Sequence, residues 1–252
     1  MNTEPTRRTR LLALLVVHNE MGYLPGWFEN VSPQVDGVVA LDDGSTDGSA
    51  EFVAAQPNVL ELVRIPARDP HVWEDGLNHS RVIEAALRHQ PDWMIGLDAD
   101  ERLERGFRAR AEAEIRRAEK KGYAAYSIHL RELWDHPDTY RVDGIWGTKL
   151  RARLFKNVPG LMYDPRQLHG QWAPLNGFRR FLGIIPLGYP KADLILYHLR
   201  MIDARDREAR RNRYNELDPE RKFQRDYDYL TDAKGLQLEK LPPGREYEPL
   251  GR

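Results

Sequence analysis

Unbroken apolar runs and amphipathic stretches alternate along the first half of the chain. Leu11 to Val17 is continuously apolar, the mark of a strand buried on both faces, and it ends at the polar triplet His18-Asn19-Glu20. Tyr23 to Val31 carries Leu24, Phe28 and Val31 at helical spacing, with Pro25 tolerated in a first turn. Val38 to Leu41 predicts a second strand. It runs into Asp42-Asp43-Gly44-Ser45-Thr46-Asp47-Gly48-Ser49, a glycine-bearing turn in which Thr46 or Asp47 caps a helix through Ala55. Val59 to Ile65 predicts a third strand, and Asn78 to His89 a helix with Val82, Ala85, Ala86 and His89 on one face. Trp93 to Leu97 is the fourth strand, bounded by Pro91, and it exits into Asp98-Ala99-Asp100-Glu101. This alternation predicts a doubly wound, mostly parallel sheet flanked by helices. Ligands of such sheets bind beyond the carboxyl ends of the strands, so the polar clusters after strands one, two and four converge on one crevice.

Leu103 to Lys121 is charged and alanine-rich, with Phe107 and Ile115 as sparse apolar points, and predicts a largely exposed helix. From Tyr123 the texture changes. Tyr126, Ile128, Leu130 and Leu133 mark one strand, Leu150 to Phe155 another, and Leu194 to Tyr197 a last one that delivers His198, so this half of the sheet is mixed or antiparallel. Between the first two lies an aromatic and charged stretch, Trp134 to Gly147, read as a loop. Leu161 to Pro190 resists assignment, Met201 to Asn215 predicts an Arg-rich helix, and Tyr227 to Arg252 reads as a polar tail.

The acidic cluster changes the picture from fold to chemistry. Side chains alternate about a strand, so Asp98 and Asp100 share a face, and two carboxylates there repel unless a cation joins them. Mg²⁺ or Mn²⁺ takes oxygen ligands and keeps places for substrate phosphates, which makes a metal-bound diphosphate the natural third party. The competing reading is a solvated acidic turn or helix cap. With 252 residues the chain suffices for one sizeable α/β domain with a tail, and its net charge of −1 gives no global attraction to nucleic acid. Cysteine is absent, which excludes disulfides, thiolate metal sites and Cys nucleophiles. Arg7-Arg8-Thr9-Arg10 before the first apolar run imitates a signal peptide, but that run is short and no small-residue cleavage site follows. No apolar window is long enough for a transmembrane segment, so a soluble protein is expected, compatible with peripheral membrane contact.

His18-Asn19-Glu20, Asp42-Asp43-Gly44-Ser45-Thr46-Asp47, Asp98-Ala99-Asp100-Glu101 and Tyr197-His198 stand in a familiar order. In them the chain resembles family 2 glycosyltransferases of the GT-A fold, over roughly residues 10 to 200. The resemblance implies a Rossmann-type α/β core with a nucleotide-sugar half at 10–121, a mixed acceptor half at 122–200 and a helical C-terminal extension at 201–252. It also implies that Asn19 and Glu20 lie near the nucleoside, that Asp43 contacts the base or ribose, and that Asp42 and Asp47 support that turn. Arg81 is then the nucleotide-contacting arginine, Asp98 a ribose-side or metal-side carboxylate, Asp100 the metal ligand and His198 the late metal-binding histidine for Mn²⁺ or Mg²⁺. The implied reaction is inverting transfer from a nucleotide-sugar donor, on the cytoplasmic side, to a hydroxyl of a glycan, lipid-linked or small-molecule acceptor.

A base must take the acceptor proton, and the acidic pair that usually supplies it is missing after the fourth strand. The candidates are Asp143, Asp164, Glu132 and His169, with Asp143 preferred for its place in the aromatic stretch. Two other readings are open: a sugar nucleotidyltransferase, which would want a Gly-rich basic loop after the first strand, and a catalytically silent nucleotide-sugar-binding protein. Trp134 and Trp146 are expected in a packed interior more than under a sugar ring. The Arg205 to Arg213 cluster has the charge to bind a phosphorylated acceptor. Interleaved with Asp203, Asp206 and Glu208, it reads rather as a solvated helix with internal ion pairs.

Overall fold

The computed structural model describes residues 8–157, 170–173 and 189–251. β1 (Leu11–Val17) lies inside the sheet because both of its faces are apolar: Leu11, Ala13, Leu15 and Val17 enter one core cluster, Leu12 and Leu14 the other. β2 (Gly37–Asp43) and β4 (Trp93–Asp98) flank it in parallel, and β3 (Val59–Ile65) lies outside β2. α1 (Leu24–Val31) covers the first cluster with Leu24, Trp27, Phe28 and Val31. After the short α2 (Ser49–Ala54), α3 (Asp75–Leu87) covers the second with Val82, Ile83, Ala85 and Ala86. The register sets the site. Val17 is opposite Asp42 and Val16 opposite Asp98, so the three strand exits stand at one level.

α4 (Phe107–Lys121) is bracketed by Gly106 and Gly122, both in the left-handed region at φ 71° and 70°. It begins later than its composition suggests, because Leu103 belongs to β5 (Glu101–Leu103). Leu103 N–H donates to Asn30 Oδ1 at 2.7 Å and its carbonyl accepts from Asn30 Nδ2 at 3.0 Å, so both of its backbone groups are committed to α1.

The second half continues the same sheet. β6 (Ala125–Trp134), β7 (His136–Arg141), β8 (Leu150–Lys156) and β10 (Leu238–Lys240) complete the order β10-β7-β6-β8-β4-β1-β2-β3, and β9 (Lys191–His198) lies off this path, paired with β5 and β6. β8 is antiparallel to β4 and β6, while β9 runs parallel to β6 and antiparallel to β5, which makes this half mixed as expected. The aromatic stretch is not a free loop. It turns at Asp135 into the β6–β7 hairpin, and Trp134 and Trp146 pack with Met201, Tyr227 and Leu230.

α5 (Ala204–Leu217) follows, its first turn capped by the Asp203 carboxylate accepting from Arg205 N–H at 2.8 Å. What composition reads as a polar tail folds back onto the sheet: β10 pairs with β7, and Leu230, Leu241 and Tyr247 are buried. Among the described residues no helix is long and apolar enough to cross a membrane.

Candidate active site

A cavity of about 830 Å³ opens where β1, β2 and β4 end, beneath β8, β9 and α5. At one end Asp43, the last residue of β2, accepts from Asn78 Nδ2 at 2.9 Å, His71 Nε2 at 3.0 Å and Arg68 Nη2 at 3.4 Å. The His71 ring stacks on His18 with centroids 3.7 Å apart, and Trp73 stands edge-on to both. Burial, then the neighbouring His18, lowers the His71 pKa.

The turn after β4 forms the floor. Arg102, fully buried, donates to the carbonyls of Ala99, Glu101 and Tyr23 at 2.9–3.0 Å and so fastens the acidic turn to the start of α1. Asp98 accepts from Arg153 Nη2 at 2.8 Å and from Trp172 Nε1 at 3.1 Å. Trp172 packs against Gly96, where an added Cβ would come within 2.2 Å of the ring, and stacks on His79 with centroids 3.9 Å apart. Glu101 accepts from Arg153 at 2.6 Å and from Asp98 N–H at 3.0 Å, and burial pushes its carboxyl up to about 7. For Asp98 burial acts the same way, but Arg153 prevails and the pKa is lowered.

Asp100 is engaged from β9. His198 Nε2 lies 3.1 Å from Asp100 Oδ2, and His198 Nδ1 is bonded to Glu132 of β6, which also pairs with Lys149. Burial opposes charge on His198, yet Glu132 and Asp100 raise its pKa to about 9. Arg200 spans two strand exits, pairing with Asp100 through Nε and with Glu20 through Nη2, the latter at 2.6 Å, while Tyr23 lies under its guanidinium at 4.8 Å. Burial would raise Asp100, but Arg200 and His198 hold it well below the usual carboxylate range. Glu20, where burial dominates, rises to about 7.

Glu20, Asp43, Asp98, Asp100, Glu132 and His198 therefore all line the cavity. Asn19, Asp42 and Asp47 instead build its supporting turns. Asn19 Oδ1 accepts from Thr46 N–H at 2.8 Å, Asp42 from Ser45 N–H at 3.1 Å, and Asp47 from Met21 and Ser49 N–H at 3.0 Å each. Arg81 donates to Asn78 Oδ1 at 3.0 Å, stabilising a residue that holds Asp43, and pairs with Glu74 at 3.9 Å. Asp143 is a correction: it is locked in a fork with Arg141 at 2.8 and 2.9 Å and caps Gln237 N–H, away from the cavity wall, because its stretch folds as a hairpin. Asp164 and His169 lie outside the described residues.

The Arg-rich helix is a second correction. Arg210 and Arg213 line the cavity and Arg207 is buried against Asp135, so one side of α5 covers the site, while the other side is solvated and carries the Arg211–Glu208 ion pair at 3.7 Å. Arg102, Arg153, Trp172 and Arg200 belong to no motif of the sequence and join the site through the fold. Arg153 carried a signal, an arginine inside an otherwise apolar strand, whereas Arg200 and Trp172 acquire meaning only through residues that are distant in sequence.

The donor set fits a divalent cation in one respect. Two ligand atoms at right angles about an ion with bonds of roughly 2.1 Å lie about 3.0 Å apart, close to the spacing between His198 Nε2 and Asp100 Oδ2. Glu132 on Nδ1 fixes which ring nitrogen faces Asp100. Among the described residues no group of three or more His, Asp or Glu side chains is disposed as a metal site, so substrate oxygens and water would complete the sphere.

No family model matches the chain. Uncharacterized proteins of Mycobacterium tuberculosis and Mycobacterium bovis are each 28% identical over 174 residues, a match spanning 66% of this chain and 42% of theirs; the chain thus spans less than half the length of these curated relatives. Among solved structures, Staphylococcus aureus TarS superposes with a TM-score of 0.50 at 11% identity, covering 86% of this chain and 44% of that one. The mannosyltransferase PcManGT from Pyrobaculum calidifontis, solved with GDP-Man and Mn²⁺, gives a TM-score of 0.50 at 16% identity, covering 85% and 63%. Both neighbours are GT-A glycosyltransferases, and the fold of this chain is theirs.

Proposed function

We propose that this chain, with its GT-A glycosyltransferase fold, moves a sugar from a nucleoside-diphosphate donor to an acceptor hydroxyl with inversion at the anomeric carbon. The observation that carries the reading is the convergence of Asp43 at the end of β2, Asp100 in the turn after β4 and His198 at the end of β9 on one cavity at the switch point of the sheet. Asp43, held by Asn78 and His71, is placed to accept from the base or ribose, with the His18–His71 pair and Trp73 as the aromatic wall beside it. Asp98, oriented by Arg153 and Trp172, serves the ribose side of the sugar.

Asp100 and His198 are the residues that would hold Mn²⁺ or Mg²⁺, as a Mn²⁺-containing neighbour suggests. Bound there, the cation neutralises charge on the departing diphosphate. Glu132 orients His198 through Nδ1 and is itself kept ionised by His198 and Lys149. Arg200, already between Glu20 and Asp100, is positioned to exchange a carboxylate for a phosphate oxygen as the donor enters.

The test is a thermal-shift screen of nucleoside diphosphates and nucleotide sugars, each with Mn²⁺, Mg²⁺ or chelator. Metal-dependent stabilisation by one nucleotide, followed by release of that diphosphate from its sugar, is the expected result. Absence of stabilisation by every nucleotide overturns the reading.

A further inference from the structure

Two histidines meet at Asp43, and they are held very differently. His18 is bonded at both ring nitrogens: Nδ1 donates to the Asp43 carbonyl at 2.8 Å, and Nε2 accepts from Asn19 Nδ2 at 3.2 Å. His71 is bonded at one. Its Nε2 donates to Asp43 Oδ2 at 3.0 Å, while its Nδ1 is buried with no hydrogen-bond partner among the described residues. A buried nitrogen left unpaired is unfavourable, and the ring regains that bond from water when it is released.

The segment that carries His71 is also weakly held. Residues 66–70 and 72 are exposed, and residues 68–73 make no backbone–backbone hydrogen bond among the described residues. Arg68 also reaches Asp43, at 3.4 Å, but its nearer partner is Glu74 of the same segment, at 3.1 Å. The ends are fixed. Ala67 packs on Gly44 so closely that a Cβ there would come within 2.6 Å of Ala67 Cα, and α3 begins at Asp75. A segment with so few bonds between fixed ends opens at low cost.

His18, Asp43 and Trp73 line the cavity, and His71 touches all three. It stacks on His18 with centroids 3.7 Å apart and 25° between the planes, meets Trp73 edge-on at 4.7 Å and bonds the carboxylate. A flat heteroaromatic ring that stacks on a neighbour and gives a ring N–H to an acceptor has the recognition chemistry of a nucleobase. Uracil and guanine carry such a ring N–H, whereas cytosine and adenine present a lone pair at the matching ring nitrogen. With His71 in place the Asp43 side chain is only 4% exposed, so a base bonds it only after the imidazole has left.

We infer that His71 occupies the seat of the donor's base and is displaced when the nucleotide binds, Asp43 exchanging the imidazole N–H for the ring N–H of uracil or guanine. This rests on the glycosyl-transfer reading above and names the part of the aromatic wall that yields. Nucleotide then binds only those molecules whose seat is open, and its apparent affinity is reduced by that fraction.

The experiment titrates the full chain and its His71→Ala variant, in Mn²⁺, with UDP, GDP, CDP, ADP and pyrophosphate by calorimetry. In the parent, UDP or GDP should bind most tightly. His71→Ala should bind that nucleotide roughly tenfold more tightly, because the competing ring is gone, and pyrophosphate, which has no base, with unchanged affinity. A second measurement uses the parent in Mg²⁺. The His71 ring resonance, assigned by its loss in the variant, should shift on nucleotide addition, and its pKa, lowered in the seat by burial and then by His18, should return toward the ordinary 6.5. Weaker or unchanged nucleotide binding in His71→Ala overturns the inference, because the ring is then a wall of the filled site rather than its occupant. So does an equal gain for pyrophosphate, tighter binding of CDP or ADP than of UDP and GDP, or a His71 resonance that does not move. If no nucleotide binds either protein the glycosyl-transfer reading falls as well, whereas binding that His71→Ala fails to improve removes this inference alone.

Discussion

His198 Nε2 faces Asp100 Oδ2 at 3.1 Å across 98 positions of sequence, because β9 runs antiparallel to β5 directly after the acidic turn. Asp100→Asn preserves volume but removes the charge on which a cation would depend. The expected outcome is loss of Mn²⁺-dependent nucleotide stabilisation, with the chelator baseline changed far less, measured by thermal shift with and without metal. A variant that keeps its full metal response would remove Asp100 from the proposed site.

Arg200 ties Glu20 to Asp100, one after β1 and the other after β4. Replacing it with Gln leaves the buried Asp100 and the half-buried Glu20 without this shared cation, at a cost on the order of 3 kcal/mol. In chelator the melting temperature should therefore fall, and added Mn²⁺ should restore more of it than in the parent, since a competing cation is gone. Calorimetric Mn²⁺ titration without nucleotide is the check; an unchanged or weaker Mn²⁺ affinity contradicts this account of Arg200.

Gly96 sits under Trp172 so closely that a Cβ would meet the indole at 2.2 Å. Gly96→Ala should cost about 1–3 kcal/mol through overpacking and displace the ring that donates to Asp98. Denaturant unfolding gives the first quantity and nucleotide-sugar affinity the second. Weaker donor binding that outlasts any stability loss is the expected pattern.

His129, on β6, has its pKa pushed down to about 4 by burial, then by Lys191 and Arg131, from an ordinary 6.5. Between those values the unfolded chain binds a proton that the folded chain refuses, so stability rises with pH and is lost as pH falls from 6.5 toward 4. His129→Gln should flatten that stretch of the stability curve, seen as a smaller difference in denaturation midpoint between neutral and mildly acid buffer. Parallel curves for the two proteins would show that His129 does not set the slope.

Much of the fold was legible because its causes are local. Leu11–Val17 and Val59–Ile65 appear in the structure with the same bounds that their apolar and β-branched runs suggest, and the acids fall at the strand exits where parallel sheets bind ligands. Leu103 was misplaced into a helix because the amide of Asn30, 73 positions away, decides its pairing. The aromatic stretch at 134–147 reads as a loop in sequence because Trp134 and Trp146 find their partners in Met201, Tyr227 and Leu230, which no local window contains. Asp143 lost its place as a base for the same reason.

By itself, then, the sequence determined the alternation of strands and helices, the mixed second half and the identity of Asp43, Asp98, Asp100 and His198 as the residues at the crevice, since periodicity and strand exits are properties of neighbours in the chain. Only the tertiary structure decided how those acids are matched: Asp98 to Arg153, Asp100 to His198 and Arg200, and Glu132 behind His198. Charges act through space at a few ångströms, and distance along the chain does not report distance across a folded sheet.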